Sequence, residues 1–306
     1  MKKKISVSSS YETLATEAVS SRFKNLDLLP TETILRHMNA EDVRAAQGVR
    51  RVLKPIAQAA RMAARSLRQG GSLLFIGAGT SGRLGVIEAA ECPPTFGTSP
   101  RMVRAVMAGG PACVFRSREG TEDDTQSARR VVRREMRKGD VAVGIAASGV
   151  TPFVREALIR SRRAGAKTVL ITCNAQSNLR HRVDVFISPQ VGPEILAGST
   201  RLKAGTATKM ILNMITTSAM VLLGKTYGNR MVDLQPKSIK LRERAIRLVK
   251  TLGGVSSIKA KRLLRETRYK TKPAILMARL NISHRQAVLL LRRQGGFLRT
   301  ALTHRP

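Results

Sequence analysis

The chain has 306 residues, an apolar share of 42% and a formal net charge of +35, from 55 basic against 20 acidic side chains. That length accommodates one large α/β domain with a small appendage, and no apolar run approaches the ~18 residues of a membrane span. Three scattered cysteines (Cys92, Cys113, Cys173) and four scattered histidines (His37, His181, His284, His304) show neither disulfide nor metal-ligand spacing, so a cytoplasmic protein without metal or cofactor is expected.

The positive charge is spread over many helix-like runs, and aromatic residues make up only 3%, with no Trp. Bases would have little to stack on. The charge therefore implies weak, salt-sensitive association with polyanions rather than a specific nucleic-acid site.

In chain order, Lys2, Lys3 and Lys4 precede no apolar stretch of the kind a secretory signal carries. Residues 1–71 are expected to form a helical segment packing on a sheet. Thr31, with Glu32 and Thr33 behind it, reads as an N-cap opening a short helix through Arg36. From Ala40 to Arg68, Val49, Val52, Ile56, Ala60, Ala63 and Leu67 recur at helical spacing, with Pro55 expected to kink or divide the run.

The stretch from Ser72 to Pro94 follows. Leu73–Ile76 is an apolar run suited to a buried strand, and it breaks into Gly77-Ala78-Gly79-Thr80-Ser81-Gly82. A helix-like run then continues to Pro93 and Pro94, which are expected to stop it. Strand, glycine-and-hydroxyl turn and helix together point backbone N–H groups at an anion site. The glycines fit a dinucleotide fingerprint, yet the next strand ends Met107-Ala108-Gly109-Gly110, with no acid for a ribose. The hydroxyls of Thr80 and Ser81 suit a terminal phosphomonoester instead. An ordinary capped turn is the competing reading.

Further strands are expected at Met102–Ala108, Asp140–Ala147, Thr168–Cys173 and Val183–Pro189, with helices at Asp123–Lys138 and Pro152–Ala164. This alternation predicts an α/β fold over 72–234: a five-stranded parallel sheet sandwiched by helices, with ligands beyond the carboxyl ends of its strands. Ser148-Gly149-Val150-Thr151-Pro152 is a second hydroxyl-and-glycine turn at such an end. Val191 to Thr206 is a third loop, leading into a Met/Ile-rich helix read as core. Residues 235–306 read as a small helical bundle, with runs at Ser256–Thr267, Lys272–Leu280 and Ser283–Gln294.

The candidate reactive groups are carboxylates. Glu91 stands just before the two prolines, Glu122 in the acidic cluster Glu119–Asp124, and Glu194 in the third loop. The cluster fits equally well as favourable charge at a helix N-terminus. No GxSxG motif supports serine catalysis.

The run GAGTSGRLGVIEAAECPPTFG (Gly77–Gly97) closely resembles the N-acetylmuramic acid 6-phosphate etherases, which have the SIS sugar-phosphate-binding fold. So do EGTEDD (Glu119–Asp124), VGIAASGVTPFV (Val143–Val154), VGPEILAGSTRLKAGTATK (Val191–Lys209), GNRMVD (Gly228–Asp233) and GGFLR (Gly295–Arg299). Thr16-Glu17-Ala18 matches the start of that family, whereas Val19–Asn25 departs from its Arg-Asn-Pro pattern. The resemblance implies a carbon–oxygen lyase that removes D-lactate from C3 of N-acetylmuramate 6-phosphate. It implies Glu91 as proton donor, kept protonated by burial beside Cys92 and Pro93, and Glu122 as second acid/base group. Thr80, Ser81, Ser148 and Thr151 would hold the phosphate, with Glu194, Ser199 and Lys203 toward the sugar. No cofactor or membrane is implied, and a homodimer is expected. A sugar-phosphate sensor without turnover and an aldose–ketose isomerase on the same fold are the rival readings.

Overall fold

In the computed structural model, residues 14–236 and 238–304 are described. Helices α1 (Thr31–Arg50) and α2 (Leu53–Arg68) precede β1 (Leu73–Gly77), α3 (Gly79–Phe96) and β2 (Val103–Met107). Then come α4 (Thr125–Glu135), β3 (Val141–Ile145), α5 (Pro152–Arg163), β4 (Lys167–Ile171), β5 (Val185–Ile187) and α6 (Lys203–Leu222). A two-stranded ribbon, β6 (Thr226–Tyr227) and β7 (Arg230–Met231), leads to α7 (Ile239–Gly253), α8 (Ser257–Glu266), α9 (Thr271–Leu280), α10 (His284–Arg293) and α11 (Leu298–Thr303).

The five main strands form one parallel sheet in the order β2-β1-β3-β4-β5. Strands β1 and β3 are buried along their whole length, as their unbroken apolar runs require of a sheet covered on both faces. On one face Leu74, Ile76, Ala142 and Leu170 pack with Ala128, Val132, Phe153, Val154 and Leu158 of α4 and α5. On the other, α3 lies close to Phe75: a methyl on Gly85 would stand 2.9 Å from its Cβ. Side-chain alternation along a strand explains this division of labour. Asp140 closes the amino ends of the strands, accepting from the N–H of Ser72 (2.7 Å), the Ser72 hydroxyl (3.0 Å) and the N–H of Arg137 (2.7 Å).

Several boundaries differ from the sequence expectation. Thr31 is not an N-cap followed by a short helix; it is the first residue of a twenty-residue helix that continues to Arg50. The break comes at Arg51-Val52 rather than at Pro55, which is the third residue of α2, where its missing N–H would have had no intrahelical partner. Pro93 and Pro94 do not stop α3 either. The helix includes both and ends at Gly97, which takes a left-handed φ of +63° and donates its N–H to Pro93 (3.0 Å). The last strand is shorter than expected, Val185–Ile187 in place of Val183–Pro189.

The chain divides into two compact units. The α/β unit comprises the described residues up to Ala89 and Val103–Ile215; the helical unit comprises Ala90–Met102 and the described residues from Thr216 on. The helical unit thus takes in more chain than the 235–306 bundle read from composition. It has its own core, including Val232, Val249, Leu264, Ile275, Leu276 and Leu298. Ser238, Ser256 and Ser283 cap α7, α8 and α10, the last with a reciprocal capping box to Gln286. Arg268 and Tyr269, consecutive residues after α8, both have left-handed backbones, at φ 51° and 60°. Such conformations cost about 1–3 kcal/mol each in a residue with a Cβ. Ile211, Ile215 and Met220 of α6 are fully buried, as the core reading of that stripe expected.

Candidate active site

Strand order β2-β1-β3 means that the chain leaves β1 toward one side of the sheet and later returns on the other. The carboxyl ends of β1 and β3 therefore flank the switch point where such sheets open a crevice. Gly77 is in register with Ile145 of β3 and with Met107 of β2. The loops that follow the three strands leave the sheet at one level.

The first loop is the opening turn of α3. Its first intrahelical bond runs from the N–H of Gly82 to Ala78 (3.1 Å), so the N–H groups of Thr80 and Ser81 precede the hydrogen-bonded ladder. Both residues are half-buried. Free N–H groups, the positive end of the helix dipole and two hydroxyls together suit a phosphate.

The second loop is shaped by Gly149, at φ +74°. Asn174 donates its amide to the carbonyl of Ser148 (3.0 Å), and the Ser177 hydroxyl donates to the carbonyl of Gly149 (2.8 Å). Thr151 is the N-cap of α5 but makes no side-chain cap bond. The loop's backbone is thus pinned from β4's side while the Thr151 hydroxyl is not used to cap the helix. Val150 and Asn174 line a polar cavity of about 660 Å³ that Leu14, Ala15 and Gln190 also border.

The third group comes from the long connection after β2. Glu122 lies in a 3₁₀ turn (Thr121–Asp123) and is exposed. It shares a cleft of about 180 Å³ with Gly79, Arg83, Met107 and Thr121. Arg83, four residues into α3, donates to the carbonyls of Val114 (2.8 Å) and Cys113 (2.8 Å) and to the Ser117 hydroxyl (3.2 Å). One guanidinium therefore ties α3 to the segment that carries Glu122. The acidic cluster divides its work: Asp124 accepts from the N–H of Ser127 (2.8 Å) as N-cap of α4, and Glu122 lines the cleft. Sequence reasoning missed Arg83 and Asn174. Arg83 stands inside GTSGRLG, one turn beyond Gly79, and that i, i+4 spacing was the available signal.

The Val191–Thr206 loop is different. Glu194 is buried and accepts the N–H groups of Lys203 (3.2 Å) and Ala204 (3.0 Å), capping α6. Burial pushes its carboxyl above the usual range, against those two N–H bonds. Lys203 is also buried, and its ammonium is ion-paired with Glu41 of α1. Glu41 further receives Arg22 (3.0 Å) and Arg44 (3.2 Å). The divergent Val19–Asn25 segment thus enters this cluster through Arg22, with Phe23 buried edge-on against His37. Burial, and then Glu194, push the Cys173 thiol up to about 12, against the opposing charge of Lys203. Ser199 is half-buried, and the neighbouring Gly198 donates its N–H to Thr16 (3.1 Å). A methyl on Gly205 would stand 4.0 Å from Cγ2 of Thr80, which sets the start of α6 beside the first loop.

Glu91 departs from expectation. It lies within α3, not at its end, about three turns beyond Thr80. Its side chain is exposed although Cys92 is buried, because successive helical residues point about 100° apart. It is grouped with the helical unit. Glu88, in the α/β unit, is buried and accepts the amide of Asn213 (2.6 Å). Among the described residues no helix is long and apolar enough to cross a membrane, and no three His, Cys, Asp or Glu side chains stand together as a metal site.

Residues 123–218 match the SIS domain, and residues 55–161 match the glucokinase regulatory protein N-terminal SIS domain. Proteins named N-acetylmuramic acid 6-phosphate etherase from Salmonella choleraesuis (strain SC-B67) and Salmonella typhimurium (strain LT2) are each 44% identical over 293 residues. Those alignments cover 95% of this chain and 99% of each relative. Among solved structures, a phosphoheptose isomerase from Neisseria gonorrhoeae aligns at 20% identity with a TM-score of 0.47, over 62% of this chain and 98% of that one. A phosphoheptose isomerase from Francisella tularensis aligns at 15% identity with a TM-score of 0.46, over 63% of this chain and 98% of that one.

Proposed function

We infer the chemistry from one premise: the chain belongs to the N-acetylmuramic acid 6-phosphate etherase family. It is a carbon–oxygen lyase that cleaves the D-lactyl ether of N-acetylmuramate 6-phosphate, an amino sugar of peptidoglycan turnover, to N-acetylglucosamine 6-phosphate and D-lactate. The residue assignments that follow are our proposal. The observation that supports them is the cleft in which the first turn of α3, Arg83 and Glu122 meet.

The phosphate binds the N–H groups and hydroxyls of Thr80 and Ser81, with Ser148 and Thr151 from the neighbouring strand end. That anchor is remote from the reacting carbons, so its binding energy orients them. In the ring-opened sugar the C2 proton is α to the aldehyde, and Glu122 removes it. The C3 ether oxygen leaves as lactate once Glu91, as the acid, protonates it. Water then adds to the unsaturated aldehyde at C3, and the C2 proton is restored. Each positioned proton transfer contributes roughly 10²–10⁴-fold.

Arg83 acts through the Glu122 segment rather than on substrate. Glu194 and Lys203 hold the third loop from within, and Ser199 is the member of that loop left to meet the sugar. The proposal includes a cytoplasmic homodimer with no specific nucleic-acid partner.

The test is lactate release from N-acetylmuramate 6-phosphate by the purified protein. Glu91→Gln should release no measurable lactate yet still exchange the C2 proton with solvent deuterium, whereas Glu122→Gln should lose both. Lactate release by Glu91→Gln at the wild-type rate would overturn the assignment. Binding of the sugar phosphate by wild type with no turnover would favour the sensor.

A further inference from the structure

A large cavity lies away from the sugar-phosphate loops, wholly inside the helical unit. It measures about 920 Å³, and three of the motifs quoted above meet on its wall: Gly97, Asp233 and Gly295-Gly296. None of them has a part in the reaction as derived.

Its lining is unbalanced in charge. Lys225, Arg242, Arg268, Lys270, Lys272 and Arg292 face it, and Asp233 is the one carboxylate among the lining residues. Asp233 is already committed, accepting the ammonium groups of Lys272 (2.8 Å) and Lys225 (3.1 Å). Lys272 is buried and donates also to the carbonyl of Gly296 (2.8 Å). Burial holds its ammonium below the usual lysine range more than Asp233 raises it, and Lys225 adds to the lowering. The wall is short of negative charge.

The rest of the wall suits a ring. Leu234, Pro273 and Leu291 provide apolar surface, and Tyr269 presents an aromatic side chain, with the Arg242 guanidinium 5.9 Å from the ring centroid. Arg268 and Tyr269 hold left-handed backbones there, a strain that the surrounding structure must impose and that is found at ligand sites. Apolar floor, one aromatic face and converging cations within a cavity of about 920 Å³ describe a small-molecule site rather than a polymer groove. Guanidinium groups match phosphate oxygens in geometry as well as charge.

We propose that this cavity binds a small organic phosphate, a phosphomonoester borne on a ring that lies against Tyr269. Two sources share that chemistry, a nucleoside monophosphate and a hexosamine phosphate. The inference does not rest on the etherase reading.

Calorimetric titration of the full chain at ~150 mM salt, where exposed charges are screened beyond about 8 Å, tests it. The probes are AMP in one arm and N-acetylglucosamine 6-phosphate in the other. Wild type should bind one of them at a site that survives Thr80→Ala/Ser81→Ala, and Arg268→Ser/Arg292→Ser should weaken that binding at least tenfold while leaving lactate release unchanged. The control is Arg133→Ser/Arg163→Ser, an equal loss of charge in an arginine-lined groove between α4 and α5 of the α/β unit, and it should leave the affinity within twofold. Three results would overturn the proposal: binding of neither probe outside the Thr80–Ser81 loop, equal weakening by both double variants, or undiminished binding by Arg268→Ser/Arg292→Ser. The last two would mark the association as diffuse electrostatics.

Discussion

Two loops of the α/β unit that look alike as sequence, Gly77–Gly82 and Val191–Thr206, spend their polar groups in opposite ways. In the first, two N–H groups precede the helical ladder and two hydroxyls stand half-buried at its mouth. In the third, Glu194 turns inward to cap α6 and Lys203 turns inward to Glu41. A polar group already satisfied by the protein has little left for a ligand, and its removal strands a buried partner. The difference separates groups that can bind from groups that hold the binder in place.

Breaking the open side of this comparison should have the largest effect. Glu122→Gln, at the cleft beside the first loop, should lower lactate release by about 10³-fold, a loss of the size that general-base catalysis supplies, with an unchanged midpoint of thermal unfolding. Next comes the closed side. Lys203→Met leaves Glu41 buried beside two arginines and should cost about 3 kcal/mol in urea unfolding. The double variant Lys203→Met/Glu41→Leu should recover most of that stability, which a ligand-binding lysine would not predict.

A smaller effect tests the open loop itself. Thr80→Ala/Ser81→Ala removes the two hydroxyls proposed to bind the phosphate but keeps the N–H groups, and should raise KM by about tenfold, ~1.4 kcal/mol, while shifting stability by under ~0.5 kcal/mol. The smallest is a pH effect. Glu194 has a raised folded-state value, so the folded chain holds that proton more tightly and stability falls as pH climbs from about 4.5 through the folded value. Asp184 acts oppositely. Burial raises it, but the Thr168 hydroxyl and N–H together with Lys167 prevail and lower it, so its contribution is present above the unfolded value and lost as pH falls through the folded one. Glu194→Gln should therefore remove the loss of stability that sets in above pH ~4.5, read as a flatter series of urea midpoints.

The sheet was legible because strands buried on both faces read as unbroken apolar runs, and the turn from β1 into α3 because glycines and hydroxyls punctuate such runs at strand ends. Helix limits were less so. Pro55 fell where a missing N–H costs nothing, and Pro93-Pro94 were carried inside α3 until Gly97 ended it. The ion pair of Lys203 with Glu41 joins residues 162 apart, and no local pattern announces such a partner. Arg83 was in view within its motif, but its two shortest bonds go to main-chain carbonyls, which every sequence possesses. The exposure of Glu91 was hidden for a related reason: neighbours along a helix do not share a face.

Gly97 carries a consequence for how this sequence can drift. A Cβ at that position would lie 1.9 Å from the carbonyl oxygen of Asp233, and the backbone there already occupies a region that L side chains rarely enter. Steric exclusion and torsional exclusion act on the same atom, so no compensating change in a neighbouring side chain can relieve both. In a saturation library, position 97 should tolerate one letter of the amino-acid alphabet. D-Alanine, installed by chemical synthesis, would favour that backbone region and carry its methyl in place of the other α-hydrogen, the one not directed at Asp233. The residue whose torsional preference matches this position, besides glycine, is thus one that no gene can encode.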